Sequence, residues 1–88
     1  KNVVVVGNIC ESGDILSRSG DEISRTMSSP AIGERLAFLD TGAYGFSMSS
    51  QYNFRPRPAE VLVHQGQSRL IRRAETFEDL TQCFVDFN

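Results

Sequence analysis

The apolar positions of this chain fall into short runs separated by turn-forming residues. Val3 to Val6 is an unbroken β-branched run. It favours a doubly buried strand over a helix, because consecutive valines lose χ1 freedom in helical geometry. After a loop rich in Ser, Gly and Asp, a short extended piece is predicted around Ile15-Leu16. The pattern from Arg35 to Asp40 predicts a second core strand.

The remaining segments of the first two thirds have less regular patterns. Residues 17–30 are polar and rich in Ser and Asp, which predicts a surface loop. A short helical turn is expected over Gly45 to Ser49. Pro56 and Pro58 exclude a central strand at their positions, because proline cannot donate to a strand ladder.

The last third of the chain has the clearest pattern. Glu60 to His64 and Ser68 to Arg73 flank Gln65-Gly66-Gln67, which predicts a hairpin with a glycine at positive φ. Thr76 begins a short amphipathic helix as its N-cap, with its apolar face at Phe77, Leu80, Phe84 and Phe87. Strands first and a helix last predict an all-β fold, a mainly antiparallel, Greek-key-like β-barrel or sandwich with a short C-terminal helix.

Length, charge and hydropathy narrow the classes of function. A chain of 88 residues forms a single domain over 1–88. Its net charge of −2, with both signs mixed, argues against nucleic acid as a partner. No apolar stretch approaches the ~20 residues of a membrane helix, and the N-terminus lacks the layout of a signal peptide, so we expect a cytoplasmic protein. The start at Lys1 without an initiator Met indicates a piece of a longer polypeptide.

Metal binding is not indicated by the cysteine and histidine content. Cys10, Cys83 and His64 are too few and too widely spaced for a four-ligand zinc site. A reducing compartment would keep both thiols free, with pairing of the two cysteines as the less favoured alternative.

Two residues carry candidate chemistry. Cys10 lies beside Glu11 and near Asp14, and neighbouring negative charge disfavours a thiolate, so this thiol is a poor nucleophile that can donate a proton. The alternative is a small buried apolar residue. Tyr44 stands between Gly42-Ala43 and Gly45, where its hydroxyl could donate to a phosphate oxygen or where the ring could simply pack. Arg55, Arg57, Arg72 and Arg73 are interpreted as solvated charges.

Several blocks of the chain, taken together, resemble the C-terminal part of diaminopimelate decarboxylases. The blocks are Gly7-Asn8-Ile9-Cys10-Glu11-Ser12-Gly13-Asp14, Asp40-Thr41-Gly42-Ala43-Tyr44-Gly45-Phe46-Ser47-Met48-Ser49-Ser50, Tyr52-Asn53-Phe54-Arg55-Pro56-Arg57-Pro58-Ala59-Glu60-Val61 and Leu70-Ile71-Arg72-Arg73-Ala74-Glu75-Thr76, followed by Glu78-Asp79-Leu80. They occur in the family's order and cover nearly the whole chain. The Cys-Glu-Ser-Gly-Asp and Gly-Ala-Tyr-Gly blocks are the most specific.

This resemblance implies a fold, a cofactor and a role for each site residue. Family members join an N-terminal (β/α)8 barrel, which holds pyridoxal 5'-phosphate, to a C-terminal β-domain, and they form homodimers with active sites at the interface. Cys10 would protonate the substrate Cα after carbon dioxide leaves, in the partner subunit's site. Glu11 would bind the distal ammonium group of the substrate. Tyr44 would contact the cofactor phosphate and the substrate.

The implied reaction converts meso-2,6-diaminopimelate to L-lysine and carbon dioxide. The family's cofactor-binding lysine lies in the barrel domain, which is absent from these 88 residues, so the chain alone should be inactive and should self-associate. Two alternatives remain open. One is a related decarboxylase acting on ornithine, arginine or carboxynorspermidine, and the other is a stand-alone dimerisation or binding module without catalysis.

Overall fold

A computed structural model describes residues 1–86 of the chain. These residues belong to two compact units, Lys1–Ala37 and Phe38–Asn88. The strands form two antiparallel two-stranded sheets, and the helical content is small. The elements are β1 (Asn2–Val3), β2 (Arg25–Thr26), β3 (Glu60–His64), β4 (Gln67–Arg72) and α1 (Phe77–Thr81), with short 3-10 segments at Phe46–Met48 and Tyr52–Phe54.

The predicted all-β class with one short helix near the C-terminus is confirmed. Within residues 1–86 each sheet has two strands, and they do not close into a barrel. Over the same residues, the structure contains no helix with the length and apolar character needed to cross a bilayer.

The first unit is built around the pairing of β1 with β2. Asn2 lies opposite Thr26, and Val3 lies opposite Arg25. The prediction of a plain surface loop over residues 17–30 is therefore wrong at β2. Of the predicted valine strand, Val3 belongs to β1 and Val6 forms an isolated bridge with Ile15. The predicted burial is wrong, because Val4 and Val6 are 43% and 60% exposed. A strand is buried on both faces only where further layers cover it, and the first unit supplies none over these side chains.

A buried serine ties the segments of the first unit together. Ser17 is 3% exposed. Its Oγ accepts a hydrogen bond from the Val5 N–H at 2.9 Å and donates one to the Ile23 carbonyl at 2.5 Å. The Leu16 N–H also donates to the Val5 carbonyl, at 2.7 Å. These bonds satisfy main-chain groups that two-residue strands leave unpaired.

The second unit contains the predicted hairpin. β3 pairs antiparallel with β4, and His64 lies opposite Gln67. The loop is the two-residue turn Gln65-Gly66, with φ values of 49° and 73°. Positive φ at both central residues is the requirement of a type I′ turn, whose twist matches that of the strands. The helical turn predicted over residues 45–49 is also confirmed, as the 3-10 segment Phe46–Met48.

The C-terminal helix begins as predicted but is shorter than its apolar pattern. Thr76 and Asp79 form a capping box, in which the Thr76 N–H donates to Asp79 Oδ2 at 2.8 Å. Leu80 is 8% exposed, and among residues 1–86 it is the one apolar residue that is buried. The helix ends at Thr81, so Phe84 lies beyond it and is exposed, and Phe77 is exposed as well. Phe87 lies outside the described residues.

The strand predicted from Arg35 to Asp40 is wrong. These residues are described, and they have no strand partner and are exposed throughout. The segment ends at Asp40, whose φ of 57° is incompatible with an extended strand. A short apolar run forms a strand only where another strand is available to satisfy its backbone groups.

Candidate functional site

Cys10 and Glu11 lie on a loop that is closed at its base by main-chain hydrogen bonds. Val6 and Ile15 form an antiparallel bridge. Beside this bridge the Gly7 N–H donates to the Asp14 carbonyl at 3.1 Å. The loop of residues 7–14 therefore begins and ends at one place, and Cys10 and Glu11 occupy its middle.

Asp14 organises the inside of this loop. Its half-buried carboxylate accepts a hydrogen bond from the Ile9 N–H, with 3.1 Å between Ile9 N and Asp14 Oδ2. Its own N–H donates to the Glu11 carbonyl at 3.0 Å. The carboxylate lies against Gly7, at the position that a β-carbon on Gly7 would occupy. The sequence placed Asp14 in a turn and near the Cys10 thiol, but it did not predict this contact, since a bond reaching back five residues has no local motif.

The two chemical groups at the middle of the loop differ in their contacts. Cys10 is an exposed, free thiol. Glu11 Oε1 accepts hydrogen bonds from the Gly13 N–H at 3.1 Å and from the Ser12 hydroxyl at 3.5 Å. The structure thus contradicts the interpretation of Cys10 as a buried apolar residue. It places the thiol at the surface, next to a carboxylate that is oriented by its own loop.

Tyr44 lies on a tight turn in the second unit. The N–H groups of Tyr44 and Gly45 both donate to the Thr41 carbonyl, at 2.9 Å and 2.5 Å. A β-carbon on Gly45 would lie 3.0 Å from that same oxygen, which explains the glycine. Tyr44 itself is 73% exposed, so the alternative of a packing tyrosine is not supported within this chain. The turn therefore leaves the Tyr44 side chain accessible at the surface of the second unit.

The turn is anchored two residues later by Phe46. The half-buried Phe46 ring has the guanidinium carbons of Arg57 and Arg72 at 5.1 Å and 4.3 Å from its centroid. Such cation–π contacts are favourable at these distances. They fix the residue that follows the Tyr44 turn.

Both arginines are held by carboxylates. Arg57 Nε lies 2.7 Å from Glu75 Oε1, which also accepts the Arg57 N–H at 2.8 Å. The hydrogen bond from the Arg57 side chain lowers the pKa of Glu75. Arg72 Nε lies 2.5 Å from Glu60 Oε2. Both arginines are therefore ion-paired and not free solvated charges, although the Arg72 side chain remains 55% exposed.

An open cleft of about 500 Å³ lies beside the Tyr44 turn. Its lining includes Thr41, Gly42 and Gly45 on one side and Pro58, Val61 and Ile71 on the other. The cleft is mostly apolar, and the turn contributes main-chain groups and a threonine to its edge. Within residues 1–86 no group of three or more His, Cys, Asp and Glu side chains is arranged to hold a metal ion.

The structure thus brings two of the three predicted site residues together. Cys10 and Glu11 are neighbours on one ordered loop of the first unit, and Tyr44 belongs to the second unit. Each of the three is exposed. A thiol, a carboxylate and a phenol at the surface can donate a proton, bind a cation and donate to a phosphate, respectively.

Comparison with known proteins gives consistent matches to one enzyme. The chain is 53% identical to the diaminopimelate decarboxylase of Methanothermobacter thermautotrophicus over 76 residues, 86% of this chain and 17% of that protein. It is 48% identical to the Aquifex aeolicus enzyme of the same name over 84 residues, 93% of this chain and 18% of that protein. For the Escherichia coli enzyme the identity is 49% over 79 residues, 88% of this chain and 19% of that protein.

The similarity covers most of this chain but a small share of each relative. The chain spans less than a fifth of the length of these three relatives, so it corresponds to one segment of them. No protein-family model and no solved structure matches it. With identities near one half over about nine tenths of its residues, the chain matches one segment of the diaminopimelate decarboxylases.

Proposed function

We propose that this chain is the C-terminal β-domain of a pyridoxal-phosphate-dependent diaminopimelate decarboxylase, which converts meso-2,6-diaminopimelate to L-lysine and carbon dioxide. The observation that carries the proposal is the ordered loop that exposes the Cys10 thiol next to the Glu11 carboxylate. The names of the relatives support the same reaction. They favour diaminopimelate over the related substrates ornithine, arginine and carboxynorspermidine.

The residues of this chain fit a supporting role toward the cofactor. Tyr44 presents an exposed hydroxyl on a turn whose main chain is fixed, which suits a donor to the cofactor phosphate. Lys1 is the sole lysine of the chain. The lysine that holds the cofactor would therefore belong to a (β/α)8 barrel domain outside these residues. When bound, the cofactor supplies the electron sink for decarboxylation.

Cys10 is the proposed proton donor. In the reaction the bond between Cα and the carboxylate breaks, carbon dioxide leaves, and the Cys10 thiol gives its proton to Cα to form the new C–H bond. The thiol then recovers a proton from water. A positioned general acid of this kind contributes about 10²–10⁴-fold to the rate.

Glu11 is the proposed partner of the distal ammonium group of the substrate. A carboxylate pairs with an ammonium through charge-assisted hydrogen bonds. The Gly13 N–H holds one oxygen of Glu11, so part of the orientation precedes binding. In the proposed cytoplasmic homodimer, Cys10 and Glu11 reach into the partner subunit's site and Tyr44 serves the site of its own subunit.

The proposal is tested by carbon dioxide release from meso-diaminopimelate by the full-length protein with pyridoxal 5'-phosphate. Cys10→Ala should lower kcat about 10²-fold or more, since it removes the proton donor. Cys83→Ala is the matched control, because Cys83 is also an exposed free thiol, and its kcat should stay at the wild-type value. Turnover by Cys10→Ala at the wild-type rate would refute the acid role. An inactive wild type would favour a non-catalytic module, and activity on ornithine or arginine alone would reassign the substrate.

A further inference from the structure

We infer that Asp14 is the positioning residue of the Cys10-Glu11 pair, and that residue 7 is glycine so that the Asp14 carboxylate can occupy the space a β-carbon would take. The inference deepens the proposed function and rests on it. It concerns a residue that touches neither substrate nor cofactor and acts through the main chain on either side of the proposed acid.

Asp14 brackets the Cys10-Glu11 pair from both sides. Its carboxylate accepts the N–H of Ile9, the residue before Cys10, at 3.1 Å. Its N–H donates to the carbonyl of Glu11, the second residue of the pair, at 3.0 Å. Its carbonyl accepts the Gly7 N–H at 3.1 Å, which closes the loop. One residue therefore fixes the main chain before, within and at the base of the segment that carries the chemistry.

The Ile9 bond is the one that the Asp14 side chain controls. An N–H donating to a carboxylate is a charge-assisted hydrogen bond, roughly twice as strong as a neutral one. Ile9 is half-buried, so loss of the acceptor would leave a donor with restricted access to water. The main chain before Cys10 would then be free to rotate, and the thiol would leave its position.

Gly7 provides a way to move the Asp14 carboxylate without changing its charge. The φ of Gly7 lies outside the left-handed region, so its backbone accepts alanine. The methyl group of Gly7→Ala would overlap the Asp14 carboxylate. That carboxylate is the end of a flexible side chain and can swing away, but in doing so it releases the Ile9 N–H. Gly7→Ala and Asp14→Ala should therefore have the same consequence.

The experiment uses the full-length enzyme with its cofactor and compares Asp14→Ala, Asp14→Asn and Gly7→Ala with the wild type. Asp21→Ala, an exposed aspartate in a turn of the same unit, is the matched control. For each variant kcat and KM are measured on meso-diaminopimelate. The reaction is also run in D2O, and the stereochemical purity of the deuterium on the carbon that lost its carboxylate is determined by NMR.

We expect Asp14→Ala and Gly7→Ala to lower kcat about 10- to 100-fold, because a displacement of about 1 Å can cost about 10²-fold in rate. KM should rise as well, since Glu11 moves with the loop, and the deuterium label should lose stereochemical purity, since water replaces the positioned thiol. Asp14→Asn should remain within about tenfold of the wild type, because its amide oxygen accepts the same hydrogen bond without the charge. Asp21→Ala should be unchanged.

A purely structural role would give a different result. If Asp14 only stabilises the fold, the variants contain less active enzyme, and apparent kcat falls with an unchanged KM and a stereochemically pure label. That pattern, or wild-type kinetics for Asp14→Ala, overturns the inference. If Asp14→Ala fails to fold, the kcat, KM and label purity of Gly7→Ala and Asp14→Asn test the inference in its place. Failure of the proposed function is distinguishable, because it would show as an inactive wild type or an active Cys10→Ala.

Discussion

The Cys10-Glu11 loop and the Tyr44 turn both expose their side chains, but different forces fix them. The loop is held by hydrogen bonds among its own residues 7–14. The Tyr44 turn is followed by Phe46, which is held by Arg57 and Arg72, and these arginines are paired with carboxylates. One region depends on hydrogen bonds within a single short loop, including one to the Asp14 carboxylate, and the other depends on charges from distant parts of the sequence.

This difference predicts different responses to mutation and to solution conditions. Ion pairs near the surface are weakened by salt and by acid, because both reduce the attraction between the charges. Hydrogen bonds between main-chain groups, such as those that join Asp14 to Gly7 and to Glu11, carry no net charge and are insensitive to either. We therefore expect each region to be perturbed without the other, in experiments on the proposed full-length enzyme.

The largest effect should come from Ser17→Ala in the first unit. Ser17 is buried, and its removal leaves the Val5 N–H and the Ile23 carbonyl without this partner. Loss of a buried hydrogen-bond partner costs about 1–3 kcal/mol. Hydrogen exchange by mass spectrometry should show faster exchange in peptides covering residues 1–26 and no change in peptides covering 57–81.

The control for this variant is Ser29→Ala, at an exposed serine of the same unit. Its exchange should match that of the wild type. Faster exchange in both units after Ser17→Ala would mean that the first and second units unfold together. It would contradict the expectation that each can be perturbed without the other.

A smaller effect is expected from acid, and it should appear in the second unit. The hydrogen bond from Arg73 holds the pKa of Asp79 well below its ordinary value, and the hydrogen bond from Arg57 lowers that of Glu75. Folding lowers both pKa values, so the two carboxylates contribute their full stabilisation above their pKa in the unfolded chain, about 4. This stabilisation is lost as the pH falls toward their pKa in the folded chain. Residues 73–81 should therefore lose protection below about pH 4.

The acid response is isolated by comparing the wild type with Asp79→Asn at each pH, so that intrinsic exchange rates cancel. The variant should already be less protected at pH 7, where it lacks the ion pair with Arg73 and the charged cap on Thr76. Its difference from the wild type should shrink as the pH falls. Glu78→Gln, at an exposed carboxylate next to Asp79, should follow the wild type. A constant difference between pH 7 and pH 3 would show that the charge of Asp79 does not stabilise this segment.

Local signals account for what the sequence predicted correctly. The β3–β4 hairpin and the start of α1 depend on residues within a few positions of one another, at Gln65-Gly66 and at Thr76 and Asp79. The pairing of β1 with β2 joins residues more than 20 positions apart, and no pattern in the polar segment 17–30 indicates it. For the same reason the apolar run at 36–39 predicted a strand that has no partner.

The site residues were predicted from family resemblance, and the residues that support them were not. Cys10, Glu11 and Tyr44 belong to specific blocks, and the structure finds all three exposed, which suits their proposed roles. The contacts of Asp14 with Gly7 and Ile9 depend on the path of the loop in space. A sequence pattern records which residues are present, whereas the path of the main chain decides which of them touch.

The smallest effect is expected from Gln65→Asn, which tests whether the hairpin is set by its turn rather than by the ion pairs around it. Gln65 has a φ of 49°, a region where asparagine is tolerated better than glutamine, and Asn-Gly is the preferred pair of a type I′ turn. The substitution should stabilise the hairpin by up to about 1 kcal/mol. Peptides covering 60–72 should exchange more slowly, whereas those covering 7–14 should not change.

Gln67→Asn is the matched control for this last substitution, because Gln67 is the first residue of β4 and asparagine is disfavoured in strands. It should leave exchange unchanged or make it slightly faster. If Gln65→Asn instead had no effect at low salt and stabilised the hairpin only when salt screened the pairs of Arg72 and Arg57, the ion pairs would be the limiting force. In that case the ion pairs of Arg72 and Arg57 alone would determine the stability of the hairpin, and the Gln65-Gly66 turn would add no stability of its own.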